Sequence, residues 1–439
     1  MNQSVYMDIL NSLDGLQEVA HELTSHSNLS GKTRGRLRGY STAPMDFITQ
    51  PESDLLYDQE SVHCYHPGGC HPVLLGDVFD GRYKITRKLG WGNSSTVWLA
   101  KDTQCDGWVA LKILTSEKSS ASQEPAFLAA LCRDTTTAGL IPTFRGKFLH
   151  NGPNRTHLCI ATSLLGPKLK NVIESYGDHQ IDAKDILRLS RQILEAVCTV
   201  HEAGFAHGDL DSTNVVFTLR HLAGASDETL LEAVGELETT TLLCADGAPT
   251  SAHMPSQLVR AATWDNWVDE DEEDVCFVDF GSSFRVGDAM GSSDFEHSAV
   301  SPPETILADT FDYRIDLWRV GCIIHSLIFA AYPCMYMGDD FFLILQIIYF
   351  VEELPQEWEP KWQQVLAASR NPQAKPTPSP DPTMSKLEYK FHTRVSEADL
   401  KPLLPVIKGL MRFRPQDRIS AREALALLPP LSDDDDFEE

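Results

Sequence analysis

The chain has 439 residues, enough for two or three ordinary domains or one large two-lobed one. An apolar content of 42% with 9% aromatics suits a globular protein with a sizeable core. The formal charge of −26 argues against nucleic acid as a direct partner, because phosphate binding needs Lys and Arg, and it suits basic protein substrates.

Along the chain, residues 1–60 show weak periodicity and read as a loosely ordered extension. It has no secretory h-region. Its stretch "GKTRGRLRGYST" (31–42) carries the Arg and Ser of a mitochondrial transit peptide, but Asp8, Asp14, Glu18 and Glu22 precede it, so a flexible basic arm is the preferred reading. From "GRYKITRKLGWGNSSTVWLAKD" onward, short β-branched and aromatic runs between turn residues predict an antiparallel sheet, with "GWVALKIL" (107–114) and "LCIATSLL" (158–165) as two strands. After Gly166-Pro167 the pattern changes. Ile186, Leu187, Leu189, Ile193, Leu194, Val197 and Val200 repeat at three-and-four spacing, one buried face of a helix. Helical patterns dominate from there to "AREALALL".

A turn-rich insertion spans 218–274, and "KWQQVLAASRNPQAKPTPSPDPTMSK" holds a Pro-rich surface loop. The runs "DEDEED" (269–274) and "DDDDFEE" (433–439) read as solvated, disordered acidic segments. Ten scattered cysteines without C-x-x-C pairs suggest reduced thiols in a cytoplasmic or nuclear setting, with no zinc site. "CIIHSLIFAAYPC" and "FFLILQIIYFV" are too short to span a bilayer and read as buried helices, so no membrane partner is expected.

Four stretches carry candidate chemistry. In "LGWGNSSTVW" (89–98), Gly90 and Gly92 let the backbone approach phosphates without a Cβ clash, although a G-x-G alone also suits a hairpin turn. In "VALKIL", Lys112 is a lone charge in an apolar strand. It reads either as a sheet-edge lysine or as an inward one paired with an anion, for which Glu124 and ATP phosphates are candidates. Pro125 requires Glu124 to lie in the first turn of its helix. In "AHGDLDSTNVVF" (206–217), Asp209 is placed to orient a hydroxyl proton and Asn214 to hold a cation. In "CFVDFGSSF", Asp279 follows an apolar strand, a position that suits magnesium.

In this order the four stretches match the protein-kinase signature set. Downstream, "SPPE" (301–304) stands where Ala-Pro-Glu is expected, "DLWRVGC" carries Asp316, Trp318 and Gly321, and "RFRPQDRISAREAL" carries Arg418. Over roughly residues 65–430 the chain resembles a eukaryotic protein kinase, and more narrowly the fungal SR-protein kinases. The carriers are "YHPGGCHPVLLGDVFDGRYKITRKLGWGNSSTVWLAKD", "HLCIATSLLGPKL", "LPQEWEPKW" and "RFRPQDRISAREAL". The resemblance implies an α+β, bilobal protein-kinase fold: a small β-rich lobe with one main helix (61–165), and a large helical lobe (166–430) containing the insertion 218–274, before an acidic tail (431–439). "SDETLLEAVGELE" and "MPSQLV" look like that family's own insertion.

The resemblance further implies ATP- and Mg2+-dependent phosphorylation of Ser or Thr, often in Arg-Ser-rich proteins, so a basic Ser/Arg protein is the expected substrate. By it, Asp209 is the catalytic base, Lys112 clamps phosphates, Glu124 positions Lys112, and Asn214 and Asp279 hold magnesium. Leu89, Gly90, Gly92, Ser95, Val97, Ala110, Leu165 and Val216 surround the nucleotide, with Leu164-Leu165 as the adenine-binding hinge. Arg418 pairs with Glu304, and Asp316 is structural. Nothing marks an oligomer, and a monomer is assumed.

The departures bear on function. Gly208 replaces the arginine that senses an activation-loop phosphate, so no such phosphate is expected to be needed. Ser94 replaces the aromatic tip of the glycine loop. Thr162 stands where an aromatic guards the adenine pocket. Asp211 replaces the lysine that neutralises the transferring phosphoryl. Two other readings therefore stand beside an active kinase. One is a nucleotide-binding pseudokinase, resting on Asp211 and Ser94. The other is a small-molecule phosphotransferase, which shares His-Gly-Asp but lacks the Ser-Pro-Pro-Glu and Asp316/Arg418 segments.

Overall fold

The structure, a computed structural model, describes residues 46–177, 180–267, 273–293, 295–369 and 379–430. The expectations for the basic arm, for Asp269–Glu272, for the core of the Pro-rich loop and for the acidic tail lie outside these residues. The chain divides into two compact units, one from residues 46–167 and 216–281, the other from 168–215 and 282–430.

The first unit is built on β1 (Phe47–Gln50), β2 (Val78–Phe79), β3 (Tyr83–Trp91), β4 (Ser95–Asp102), β5 (Gly107–Leu114), β6 (Phe144–Gly152) and β7 (Arg155–Ser163). Six of them form one antiparallel sheet in the order β2-β3-β4-β5-β7-β6. Two-residue periodicity sorts their side chains. Tyr83, Ile85, Trp98, Ala100, Leu111, Ile113, Cys159 and Ala161 interdigitate in a buried core. The residues between them, Val97, Leu99, Ala110, Lys112 and Thr162, therefore lie on the opposite face. Glu124 is the first residue of the helix Glu124–Leu131 with Pro125 in its first turn, as the proline requires.

Residues 46–60, expected to be loose, are tied into this unit. β1 pairs with Thr239–Cys244, which pairs in turn with Gln257–Val259. Leu55, Val62, Leu242 and Leu258 cluster beneath that small sheet. Lys88 forms a buried ion pair with Glu60, whose carboxylate also accepts from the Tyr65 hydroxyl. The insertion consequently groups with the strand-rich unit, not with the helical one to which its sequence position assigned it. Leu99 packs with Val234 and Trp264, and the helix Asp227–Val234 is capped by Ser226. The acidic run also needs correction at one position. Glu273 is fully buried, accepting from the Thr218 hydroxyl and from the N–H groups of Arg220 and His221. Burial opposes its ionisation, yet these donors hold its carboxyl below the usual range.

In the second unit, helix Ile315–Phe329 is buried along almost its whole length and packs against Ala183–Glu202 and Leu403–Leu410. Gly321 permits that approach, because a Cβ there would lie 2.6 Å from Met411 Cγ. The apolar runs expected to be buried helices are Ile315–Phe329 and Asp340–Phe350. Among the described residues no helix is long and apolar enough to cross a membrane.

Candidate active site

In the strand-rich unit, the cross-strand register aligns Gly90, Val97, Lys112 and Ile160 in one row. Leu99, Ala110 and Thr162 form the adjacent row. Directly paired residues point the same way, so Val97, Ala110 and Lys112 share one surface of the sheet. Leu89 sits at the β3 bulge and packs with Leu99 and Leu164. The turn between β3 and β4 closes with Gly92 N–H donating to the Ser95 carbonyl at 2.9 Å, and Ser95 itself is buried. A Cβ on Gly92 would meet nothing within 4 Å, so the space over the turn is open. No described residue bonds the backbone N–H or carbonyl of Leu165. Val216 is buried in the short strand Val215–Phe217.

Lys112 Nζ donates to Glu124 Oε2 at 2.8 Å and Oε1 at 2.9 Å, and to Asp279 Oδ1 at 2.7 Å. This excludes the sheet-edge alternative. Burial pulls the lysine pKa down, but Asp279 and Glu124 outweigh it and hold the ammonium above its ordinary value. Asp279 adopts a left-handed backbone at φ 66°, tolerated better by Asp than by most residues. Its side chain is about two-fifths exposed, whereas that of Glu124 is nearly buried. A half-buried cation between two carboxylates, open space over a glycine turn and a backbone unbonded at Leu165 suit a nucleoside triphosphate with its metal.

In the helical unit, the loop around Asp209 is anchored from below by Asp316. That fully buried carboxylate accepts from His207 N–H at 2.8 Å, Gly208 N–H at 2.9 Å and His201 Nε2 at 3.0 Å. Burial opposes its charge, but the His201 and Gly208 bonds prevail and keep its pKa lowered. Gly208 has φ 83°, and a Cβ there would fall 2.3 Å from the Ser282 carbonyl. The departure from arginine at this position is thus dictated by the backbone.

Asp209 is half-exposed, with Oδ1 accepting from Arg319 Nη1 at 2.6 Å. Asn214 Nδ2 donates to the Asp209 carbonyl at 2.7 Å, and Asn214 Oδ1 has no partner among the described residues. Asp211, the residue most at odds with catalysis, has a local task. Its Oδ1 accepts from Thr213 N–H and Oγ1 and from Asn214 N–H, closing the turn that presents Asn214. Ser212 is held by the Tyr332 hydroxyl, whose pKa is pushed up to about 12 by burial and by the Asp211 charge. Farther along, Arg418 meets Glu304 through two bonds of 2.6 Å, both side chains buried.

Residue types alone did not point to Arg319, although one signal was legible. A charged residue three positions after Asp316, in an otherwise apolar helix, shares its face. Among the described residues no His/Cys/Asp/Glu cluster is arranged to hold a metal by itself.

Over part of its length the chain is similar to known protein kinases. The profile for protein tyrosine and serine/threonine kinases matches residues 83–252. Serine/threonine-protein kinase spk-1 of Caenorhabditis elegans is 35% identical over 183 residues, covering 40% of this chain and 18% of that protein. Protein kinase dsk1 of Schizosaccharomyces pombe is 35% identical over 169 residues, covering 37% of this chain and 31% of that protein. Serine/threonine-protein kinase SRPK of Physarum polycephalum is 28% identical over 287 residues, covering 62% and 66%. The matched region thus spans less than a third of the first two relatives. A crystal structure of a kinase domain superposes with a TM-score of 0.58 at 18% identity, covering 81% of this chain and 97% of that one. The fold is that of a protein kinase, and over the matched residues the chain is similar to serine/threonine protein kinases named spk-1, dsk1 and SRPK.

Proposed function

We propose that this protein is an ATP- and magnesium-dependent serine/threonine kinase that acts on basic, Arg- and Ser-containing proteins. The observation that carries the reading is Lys112, held between Glu124 and Asp279 on the face that also bears Val97 and Ala110. A cation fixed in this way fits the α- and β-phosphates of ATP, while the Leu165 backbone is open to adenine. Asp209, half-exposed, takes the role of the base that orients the substrate hydroxyl. Magnesium, with Asn214 and Asp279 as its proposed ligands, would neutralise charge on the transferred phosphoryl group.

A basic protein substrate suits the formal charge of −26, which draws cations in over long range. The proposed setting is the cytoplasm or nucleus, consistent with ten unpaired cysteines.

The test is transfer of label from [γ-32P]ATP to an Arg-Ser peptide and to a Lys-Ser control, with wild type and Asp209→Ala. Labelling of serine in the Arg-Ser peptide, lost in Asp209→Ala, supports the proposal. ATP binding without transfer by wild type would favour a pseudokinase, and equal labelling of the control would remove the Arg-Ser preference.

A further inference from the structure

The loop from Phe205 to Phe217 contains no Lys or Arg, yet it carries two carboxylates two positions apart, Asp209 and Asp211. Asp211 is occupied by the turn it closes and makes no ion pair among the described residues. Asp209 lacks any such local hold on its side chain. A carboxylate on a half-exposed loop can rotate about two torsions, and a base whose oxygen wanders by an ångström loses much of its effect.

The hold comes from a different element. Arg319 projects from a helix buried along nearly its whole length, and its side chain is only 3% exposed. A guanidinium in that setting requires a counter-charge, because an unpaired buried cation is costly. Its Nη1 donates to Asp209 Oδ1 at 2.6 Å and to the Leu210 carbonyl at 3.4 Å. Its Nε is buried without a partner among the described residues. The guanidinium carbon lies 5.5 Å from the centre of the Phe295 ring, which packs edge-on against Phe311. The arginine is therefore wedged between the loop and the segment that precedes Ser301, while Asp209 Oδ2 has no partner among the described residues.

We propose that Arg319 is a positioning residue for Asp209. It pins one carboxylate oxygen, leaves the other turned to the substrate hydroxyl, and supplies from the buried helix the positive charge that the loop lacks at position 211. This rests on the reading of Asp209 as the base. It also offers a means of fixing the loop against Phe295 without a phosphate, where Gly208 has no room for an arginine.

The experiment is steady-state phosphorylation of the Arg-Ser peptide by full-length wild type, Arg319→Gln and Arg319→Lys. Rates are expressed per folded molecule from circular dichroism melts, and KM is measured separately for ATP. Arg319→Gln should lower kcat about 10- to 100-fold with KM for ATP within about twofold of wild type. Arg319→Lys, which keeps the charge but offers three N–H donors in place of five and no planar fork, should recover part of that loss and leave kcat about 3- to 10-fold below wild type. Wild-type kcat in folded Arg319→Gln, or kcat and KM for ATP moving together, would overturn the proposal. Should Arg319→Gln fail to fold, Arg319→Lys decides: a kcat reduced about 3- to 10-fold at unchanged melting temperature supports it, and an unchanged kcat overturns it. A wild-type protein that binds ATP but transfers nothing defeats the kinase reading itself, a result seen before any Arg319 variant is assayed.

Discussion

Arg418 and Glu304, 114 residues apart, face each other through two parallel hydrogen bonds with both side chains buried. The pair also closes the chain on itself, since Arg418 donates to the carbonyls of Arg314 and Arg412. Truncating one partner strands the other as a buried charge. Arg418→Ala should therefore destabilise the protein by about 3–5 kcal/mol, read as a shift of the urea midpoint. A loss below about 1 kcal/mol would mean that the pair is solvated in solution.

Gly208 combines a left-handed backbone with a neighbour that a Cβ cannot avoid. Gly208→Ala should cost more than about 2 kcal/mol, from about 1–2 kcal/mol of backbone strain plus the displacement of Ser282. Urea unfolding of the variant checks this, and wild-type stability would contradict it. Because no arginine fits there, phosphatase-treated enzyme should keep its activity. A treated sample that is dead and is revived by phosphorylation would refute that expectation.

Much of this was legible from the chain. The alternation in "VALKIL" places Lys112 opposite Leu111 and Ile113, and Pro125 fixes Glu124 at the helix start, because both follow from local geometry. The grouping of 216–281 with the sheet was not legible. It depends on β1 pairing with Thr239–Cys244, a contact between distant segments that no local pattern announces. Glu273 was hidden inside an acidic run whose composition reads as solvated. Asp211 looked like a catalytic loss when only its charge was weighed, whereas its hydrogen bonds with Thr213 and Asn214 appear only once the turn is folded.

That turn gives its own prediction. Asp211→Asn retains an accepting oxygen and should change stability by less than about 0.5 kcal/mol. Asp211→Ala and Asp211→Lys lose it and should each cost about 1–2 kcal/mol, comparable to loss of a helix cap. Thermal melts of the three variants test the ranking, and equal stability of Asn and Lys would contradict it.

The His297–Asp340 contact gives a prediction about pH. Burial lowers the His297 pKa, but the Asp340 bond at 2.8 Å outweighs it, so the net shift is upward. The same bond lowers the Asp340 pKa. The histidine's contribution is complete below its ordinary value of about 6.5 and is lost as pH rises through its raised one. The aspartate's is present above about 3.9 and is lost as pH falls through its lowered one. Wild type should therefore exceed Asp340→Asn in stability by up to about 1 kcal/mol near pH 6, with the gap narrowing towards pH 8.5. A gap that widens with pH would contradict the assignment.

The most direct measurement is single-turnover transfer of the γ-phosphoryl of ATP to serine in an Arg-Ser peptide, comparing wild type with Lys112→Met at saturating ATP and magnesium. Wild type should transfer stoichiometrically and Lys112→Met at least about 100-fold more slowly, because the cation between Glu124 and Asp279 is removed. Equal rates in the two proteins, or ATP retained without transfer by wild type, would contradict the account.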